Sequence, residues 1–361
     1  MAKKVLKNIA IILGVLWIFS LVIRYSLPFY WGDSTQTVKY EFYKKNSDKF
    51  NTVFLGGSLE FRHINPAIID SVARLNNIDM RSFNLGVDGH GIVQQAEDLD
   101  GLLKIHNPNL KYIFLSLSSE PYFFVANMHT SKWVSWQSAS STVNAAKILA
   151  TLDKDRPKKR LKYSGLYAMS WIENMFNVAV LPDMISFYVN KNKRDNSYLG
   201  KQENGFYPYD YEEYHLFMEY KWEDTLLLQS RKQYENDKPF RDTMTAEVTR
   251  AYNNFKSTDK PNQAMVDLCM KMYNKCAKRG IQVFFMLPPK GRTDYSLLLP
   301  VLYAMPKGTQ IDLGDPRKYP KYYDVAYGYN FHHLNYKGAV LQSNEMAKQI
   351  VSSIKAMKDS I

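Results

Sequence analysis

Between Asn51 and Ser118 three short apolar runs, "NTVFLGG", "RSFNLGV" and "KYIFLSLS", alternate with two amphipathic stretches at about 65–76 and 91–105. Short apolar strands separated by amphipathic helices predict a β-α-β-α-β order, which builds a parallel sheet covered on both faces. The pattern resumes after a break with a helix over about 262–279, a capping Gly280 and a buried strand in "GIQVFFMLPP". A helix-like stretch near 295–303, a strand "TQIDLG" and a closing helix over about 336–358 complete it. The intervening segment, about 125–257, is rich in Tyr, Trp and Lys, lacks strand alternation and reads as helices and loops. The expectation is one α/β domain over 33–361 interrupted by a mostly helical insertion, a size the 361 residues allow. In such sheets ligands bind at the carboxyl ends of the strands.

At the amino terminus Lys3, Lys4 and Lys7 precede an uncharged apolar run, Ile9 to Ile23, that closes at Arg24. No small-x-small cleavage pattern follows; Tyr25, Phe29, Tyr30 and Trp31 do, as interfacial aromatics beside a bilayer would. Residues 1–32 therefore read as a cytoplasmic tip and an uncleaved transmembrane anchor, with a cleaved or lipid-bound start as the alternative. The run is short against the roughly 20 residues that span a hydrocarbon core, so flanking helix residues and snorkelling Lys7 and Arg24 must complete it. Positive charge before the run places that side in the cytoplasm and the remainder outside.

The formal net charge of +12 would suit nucleic acid, but an outward-facing domain excludes that partner. Anionic lipid head groups, an acidic cell-surface polymer or a generally basic surface fit better. Cys269 and Cys276 stand seven residues apart in one predicted helix, about 10 Å between Cα atoms, too far for a bridge. The domain is expected to hold without a disulfide. No His/Cys/Asp/Glu set has ligand spacing, so neither a metal nor another cofactor is implied.

Three segments carry chemistry. In "FLGGSLEFRHINP", Ser58 follows Gly56 and Gly57 at a strand end and opens a helix, where backbone N–H groups face an incoming oxyanion, although a Gly-Gly-Ser turn also occurs as plain structure. In "FNLGVDGHG", Gly86 can bring a backbone N–H close to a bound oxygen or make an ordinary βα turn. In "YNFHHLNYKGA", His333 stands at the spacing Asn330-x-x-His333 before the last helix, as a base or as a cap; His332 beside it is expected to be exposed.

In this order, and at these strand ends, the segments resemble the SGNH (GDSL-like) hydrolase and acyltransferase superfamily over about 51–124 and 262–361. They look most like its membrane-anchored, extracytoplasmic members of the alginate O-acetylation and teichoic-acid D-alanylation type. The resemblance implies a three-layer, flavodoxin-like parallel sheet. It also implies Ser58 as nucleophile, His333 as general base and then acid, and the N–H groups of Ser58 and Gly86 in an oxyanion hole. The activity implied is O-acyl transfer to, or ester hydrolysis of, a cell-surface or exported polysaccharide, beside a membrane-bound O-acyltransferase as partner. A degenerate accessory protein is the alternative.

Two departures from the family pattern bear on this. Asn330 stands where the family has Asp, and in a serine-protease triad amide for carboxylate costs about 10⁴ in turnover through the wrong imidazole tautomer. Either another carboxylate such as Asp324 orients His333, or the pair works as a dyad, or the protein is inactive. The block after the third strand reads "LSLSSEP" instead of Gly-x-Asn-Asp, leaving Ser118 or Ser119 as substitute donors. Within the insertion, the basic run "KDRPKKRLK" (154–162) fits lipid head groups or a solvated loop. The aromatic segment 196–222 fits sugar stacking or internal packing, and Lys290 and Arg292 fit a charged acceptor or plain surface.

Overall fold

The computed structural model describes residues 2–26, 32–118, 128–152, 156–189, 196–220, 226–289 and 294–359, with backbone alone for 215–220. In chain order the elements are α1 (Ala2–Ser26), α2 (Ser34–Asn46), β1 (Thr52–Leu55), α3 (Ser58–His63), α4 (Pro66–Leu75), β2 (Ser82–Asn84), α5 (Ile92–Leu102) and β3 (Tyr112–Ser116). There follow α6 (Ser131–Val134), α7 (Ala139–Leu152), α8 (Pro157–Met175), α9 (Val180–Val189), α10 (Tyr209–Tyr220), α11 (Leu226–Asn236), α12 (Lys238–Asn254) and α13 (Gln263–Ala277). Then come β4 (Gln282–Leu287), α14 (Tyr295–Tyr303), β5 (Gln310–Asp312) and α15 (Tyr336–Lys358). They form two compact units: residues 1–38 with 121–195, and residues 39–120 with 196–361.

The larger unit holds the parallel sheet expected from the alternation, with strand order β2-β1-β3-β4-β5. This is the doubly wound, flavodoxin-like order, whose direction of growth reverses at β1. Register places Phe54, Phe114 and Phe284 side by side on neighbouring strands, and their rings stack at centroid distances of 4.6 and 4.8 Å. That ladder, with Met286 and Ile311, packs beneath Ile69 and Ala73 of α4 and Met346, Ile350 and Ile354 of α15. Because side chains alternate along a strand, Val53, Leu55, Ile113, Leu115, Val283 and Phe285 turn to the other face, and all are buried. α5, α13 and α14 cover that side.

Local signals set the helix ends. The Asn65 side chain accepts from Ala67 N–H with Pro66 at the first helical position, and Asn262 and Asn335 cap α13 and α15 through Met265 and Gly338 N–H. Gly280, at φ +70°, closes α13 in the left-handed conformation only glycine adopts freely. Cys269 and Cys276 are free and buried in α13.

In the smaller unit α1 is long and apolar enough to cross a membrane. The helical part is centred on Trp133, whose Nε1–H donates to Ser170 Oγ (3.1 Å) and whose ring meets Trp136 and Tyr167.

Candidate active site

β1 delivers the chain to Gly56 and Gly57, and the turn has no room for side chains. A Cβ on Gly57 would lie 2.6 Å from the His90 carbonyl oxygen, and one on Gly56 would enter the Glu60 carboxyl group. The two glycines thus let Ser58 start α3 directly at the end of β1, next to the point where the sheet reverses. Glu60 folds back beneath the turn and accepts the Gly57 N–H at 2.8 Å. Its carboxyl group is fully buried, and burial pushes its pKa up to about 7 against the opposing hydrogen bonds from Ser116 and Gly57.

His333 reaches Ser58 from the loop before α15, with Nε2 2.9 Å from Ser58 Oγ. The loop is tied by a bridge between Gly328 and Leu334 and by Tyr329 N–H donating to the His333 carbonyl (2.8 Å). Asn330 Oδ1 accepts the backbone N–H groups of His332 and His333, each at 2.9 Å, and lies 3.1 Å from His333 Nδ1. The two backbone donors dictate which end of the amide points inward. An acceptor therefore faces Nδ1, which holds the proton, while Nε2 presents its lone pair to the serine hydroxyl. The tautomer penalty attached to an amide at this position does not arise here, because the Asn330 oxygen, not its NH₂, meets the ring.

Several side chains that the sequence did not single out complete the site. His63, buried at the end of α3, accepts Leu334 N–H on Nε2 at 2.9 Å and sets its ring edge-on to His333. Arg62, 2% exposed, pairs with Asp88 (2.6 Å) and Glu212 (2.5 Å), and its guanidinium lies over the rings of Phe61 and Tyr209. Tyr209 in turn meets His333 edge-on with centroids 4.8 Å apart and stacks on Tyr329. The aromatic segment from 196 onward thus packs around α3 and forms one wall beside the histidine. Three successive charged or ionisable residues of α3, Glu60, Arg62 and His63, are almost fully buried. Ionisable residues in a six-residue helix give no periodicity that announces burial, so the sequence does not point to them.

The other expected residues fall as follows. Gly86 is corrected: its N–H donates to Asn84 Oδ1 (2.8 Å), its carbonyl accepts from buried Lys39 Nζ (2.7 Å), and a Cβ there would sit 2.6 Å from Phe61 N. Its role is the close approach of α3 to the end of β2, and its N–H is not directed at a bound oxygen. Ser118, after β3, accepts Ile92 N–H at 2.9 Å. Asp324 is also corrected as a partner of His333: its Oδ1 caps the turn at Ala326 N–H (2.8 Å). His332, expected to be exposed, is half-buried and, with Asn330, lines a cavity of about 970 Å³. Glu247, Arg250, Asp294, Phe240 and Phe331 are among the residues lining that cavity. Ser119, Lys290 and Arg292 lie outside the described residues. The described residues contain no cluster of three or more metal-ligating side chains.

Comparison with protein-family models and with curated proteins finds no match to this chain.

Proposed function

We propose that the chain is an SGNH-type O-acyltransferase or esterase that carries an acyl group on Ser58 and acts on cell-surface polysaccharide, held by α1 with its larger unit outside the cytoplasm. The observation that carries this reading is the 2.9 Å contact between His333 Nε2 and Ser58 Oγ at the carboxyl ends of parallel strands. In the proposed reaction Nε2 takes the hydroxyl proton as Oγ attacks an acyl carbonyl, and the Ser58 N–H at the start of α3 faces the developing oxyanion. The protonated ring returns its proton to the leaving group, and a sugar hydroxyl or water then deacylates the serine by the reverse relay. Neutral Asn330 orients the ring but stabilises the imidazolium less than a carboxylate would. A long-lived acyl-enzyme, suited to transfer, follows from that weakness. A membrane-bound O-acyltransferase fits as donor partner.

A second reading, a non-catalytic accessory protein that binds glycan or scaffolds an acyltransferase, is favoured by one observation: the Gly86 N–H is already bonded within the fold. A fluorophosphonate probe separates the two. The catalytic reading requires stoichiometric labelling of Ser58 in the full-length protein and its loss in Ser58→Ala and His333→Ala. Equal labelling of all three proteins, or none of the wild type, leaves the accessory reading.

A further inference from the structure

The smaller unit carries an apolar surface that the catalytic reading does not use. The corner between α8 and α9 is fastened to the end of α1. Ser20 Oγ donates to the Met175 carbonyl (2.7 Å) and Asn177 Nδ2 donates to the Ser20 carbonyl (2.9 Å). The Arg24 guanidinium reaches Asn174 Oδ1 (2.8 Å) and Asn177 Oδ1 (3.0 Å). Asn177 and Ala179 adopt left-handed φ values of 54° and 66°, which turn the chain sharply at this point.

The two helices leaving the corner present apolar side chains to solvent. On α9, Val180, Met184 and Phe187 are buried within the unit. Pro182, Ile185 (48% exposed) and Val189 (77%) follow one another at helical spacing on the opposite side, and Val178 (54%) is exposed in the corner that precedes the helix. Asp183 is the one charged residue of the helix. On α8, exposed Leu161, Met169 and Ile172 share a second stripe, with exposed Lys158 and Lys162 flanking Leu161. A helix apolar on both sides and covered on one has no stable place in water.

The depth of this surface follows from α1. Its apolar run ends at Arg24, and Ser20 lies about 6 Å inside that end at 1.5 Å per residue. A segment bonded to both residues sits at the boundary between head groups and acyl chains, the depth at which interfacial amphipathic helices bury their apolar face. Lys158 and Lys162 can keep their ammonium groups among anionic head groups while their stems lie along the apolar stripe.

We propose that the exposed face of α8 and α9 is a membrane-interface platform, bedded in the leaflet at the Arg24 end of α1, with Ile185 and Val189 at the acyl boundary. This rests on the reading of α1 as a membrane span, and the test separates the two. Its occupant is lipid, because the surface is continuous with the emerging end of the membrane helix and offers aliphatic side chains with a basic fringe. A two-point hold of this kind stops the smaller unit from rolling about the α1 axis.

The test uses the full-length protein in proteoliposomes of phosphatidylcholine and phosphatidylglycerol, with a nitroxide on one introduced cysteine at a time. Cys269 and Cys276 do not interfere, being buried with thiols pushed up to about 12 by desolvation. The positions are Ile185→Cys and Val189→Cys for the platform, Val15→Cys for the centre of α1 and Lys271→Cys for an aqueous reference. Relaxation by oxygen, which partitions into lipid, is compared with relaxation by a water-soluble nickel chelate. The platform requires labels at 185 and 189 to shift toward oxygen and lose nickel access, as at Val15. Nickel access at 185 and 189 equal to that at 271, with Val15 still in lipid, overturns the platform and leaves the anchor standing. Nickel access at Val15 removes the anchor and the platform together. Labels that are water-exposed in proteoliposomes yet shielded in native membranes would mean that a protein covers this face, and the lipid proposal would be wrong.

Discussion

Replacing Glu60 by Gln isolates the energetics of the turn that carries Ser58. The folded protein holds this carboxyl fully buried with a pKa of about 7, against an ordinary 4.5, because burial outweighs the hydrogen bonds from Ser116 and Gly57. A raised acid binds its proton more tightly in the folded chain. Below about pH 4.5 both states are protonated, between 4.5 and 7 only the folded state is, and above 7 both are ionised. Stability therefore falls as pH rises through this window and stays low above it. At about 1.4 kcal/mol per pH unit the loss is on the order of 3 kcal/mol. Glutamine keeps an oxygen for the Gly57 N–H and never ionises. Glu60→Gln should match the wild type near pH 4.5 and exceed it by about 3 kcal/mol at pH 8. Asp70, raised by burial to about 6, adds a slope of the same sign in both proteins and cancels in the difference. The assay is hydrogen exchange of the β1 peptide in the full-length protein at both pH values, corrected for intrinsic rates, which reads the opening free energy directly. Identical pH slopes in variant and wild type would refute a buried, protonated Glu60.

Asn330→Asp should raise turnover of an activated acetyl ester, measured by steady-state hydrolysis. The gain should fall short of the roughly 10⁴ associated with carboxylate in a triad, since the tautomer is already correct here. His63→Phe leaves Leu334 N–H without its acceptor inside the fold; it should cost about 1–3 kcal/mol by denaturant unfolding and slow fluorophosphonate labelling of Ser58. Arg62→Met removes the cation shared by Asp88 and Glu212, both of which keep contact with water, for an expected loss of about 1–3 kcal/mol by thermal or chemical unfolding. Gly86→Ala forces a Cβ against Phe61 N and should destabilise the larger unit without altering the pH dependence of any residual activity, because the residue packs and does not donate to substrate.

The amino-acid sequence alone determined the parallel sheet, its order of strands and helices, the apolar helix at the amino terminus and the two residues that meet at the strand ends. These rest on local patterning and on special residues at turns: the short apolar run in "NTVFL", Gly-Gly before Ser58, asparagine caps before α4, α13 and α15. Each acts within a few residues of itself and is readable there. Only the tertiary structure decided where hydrogen-bond donors and acceptors point. Gly86 looked like an oxyanion donor and proved to be engaged by Asn84, a direction set by how α3 docks on β2. Asn330 looked like a defect and proved to hold the ring through its oxygen, because two backbone N–H groups of its own loop fix the amide. Glu60, Arg62 and His63 were not singled out by the sequence and are buried. The partners of Arg62 and His63, namely Asp88, Glu212 and Leu334, come from separate segments, up to 271 residues away along the chain for Leu334, and no periodicity spans such a distance.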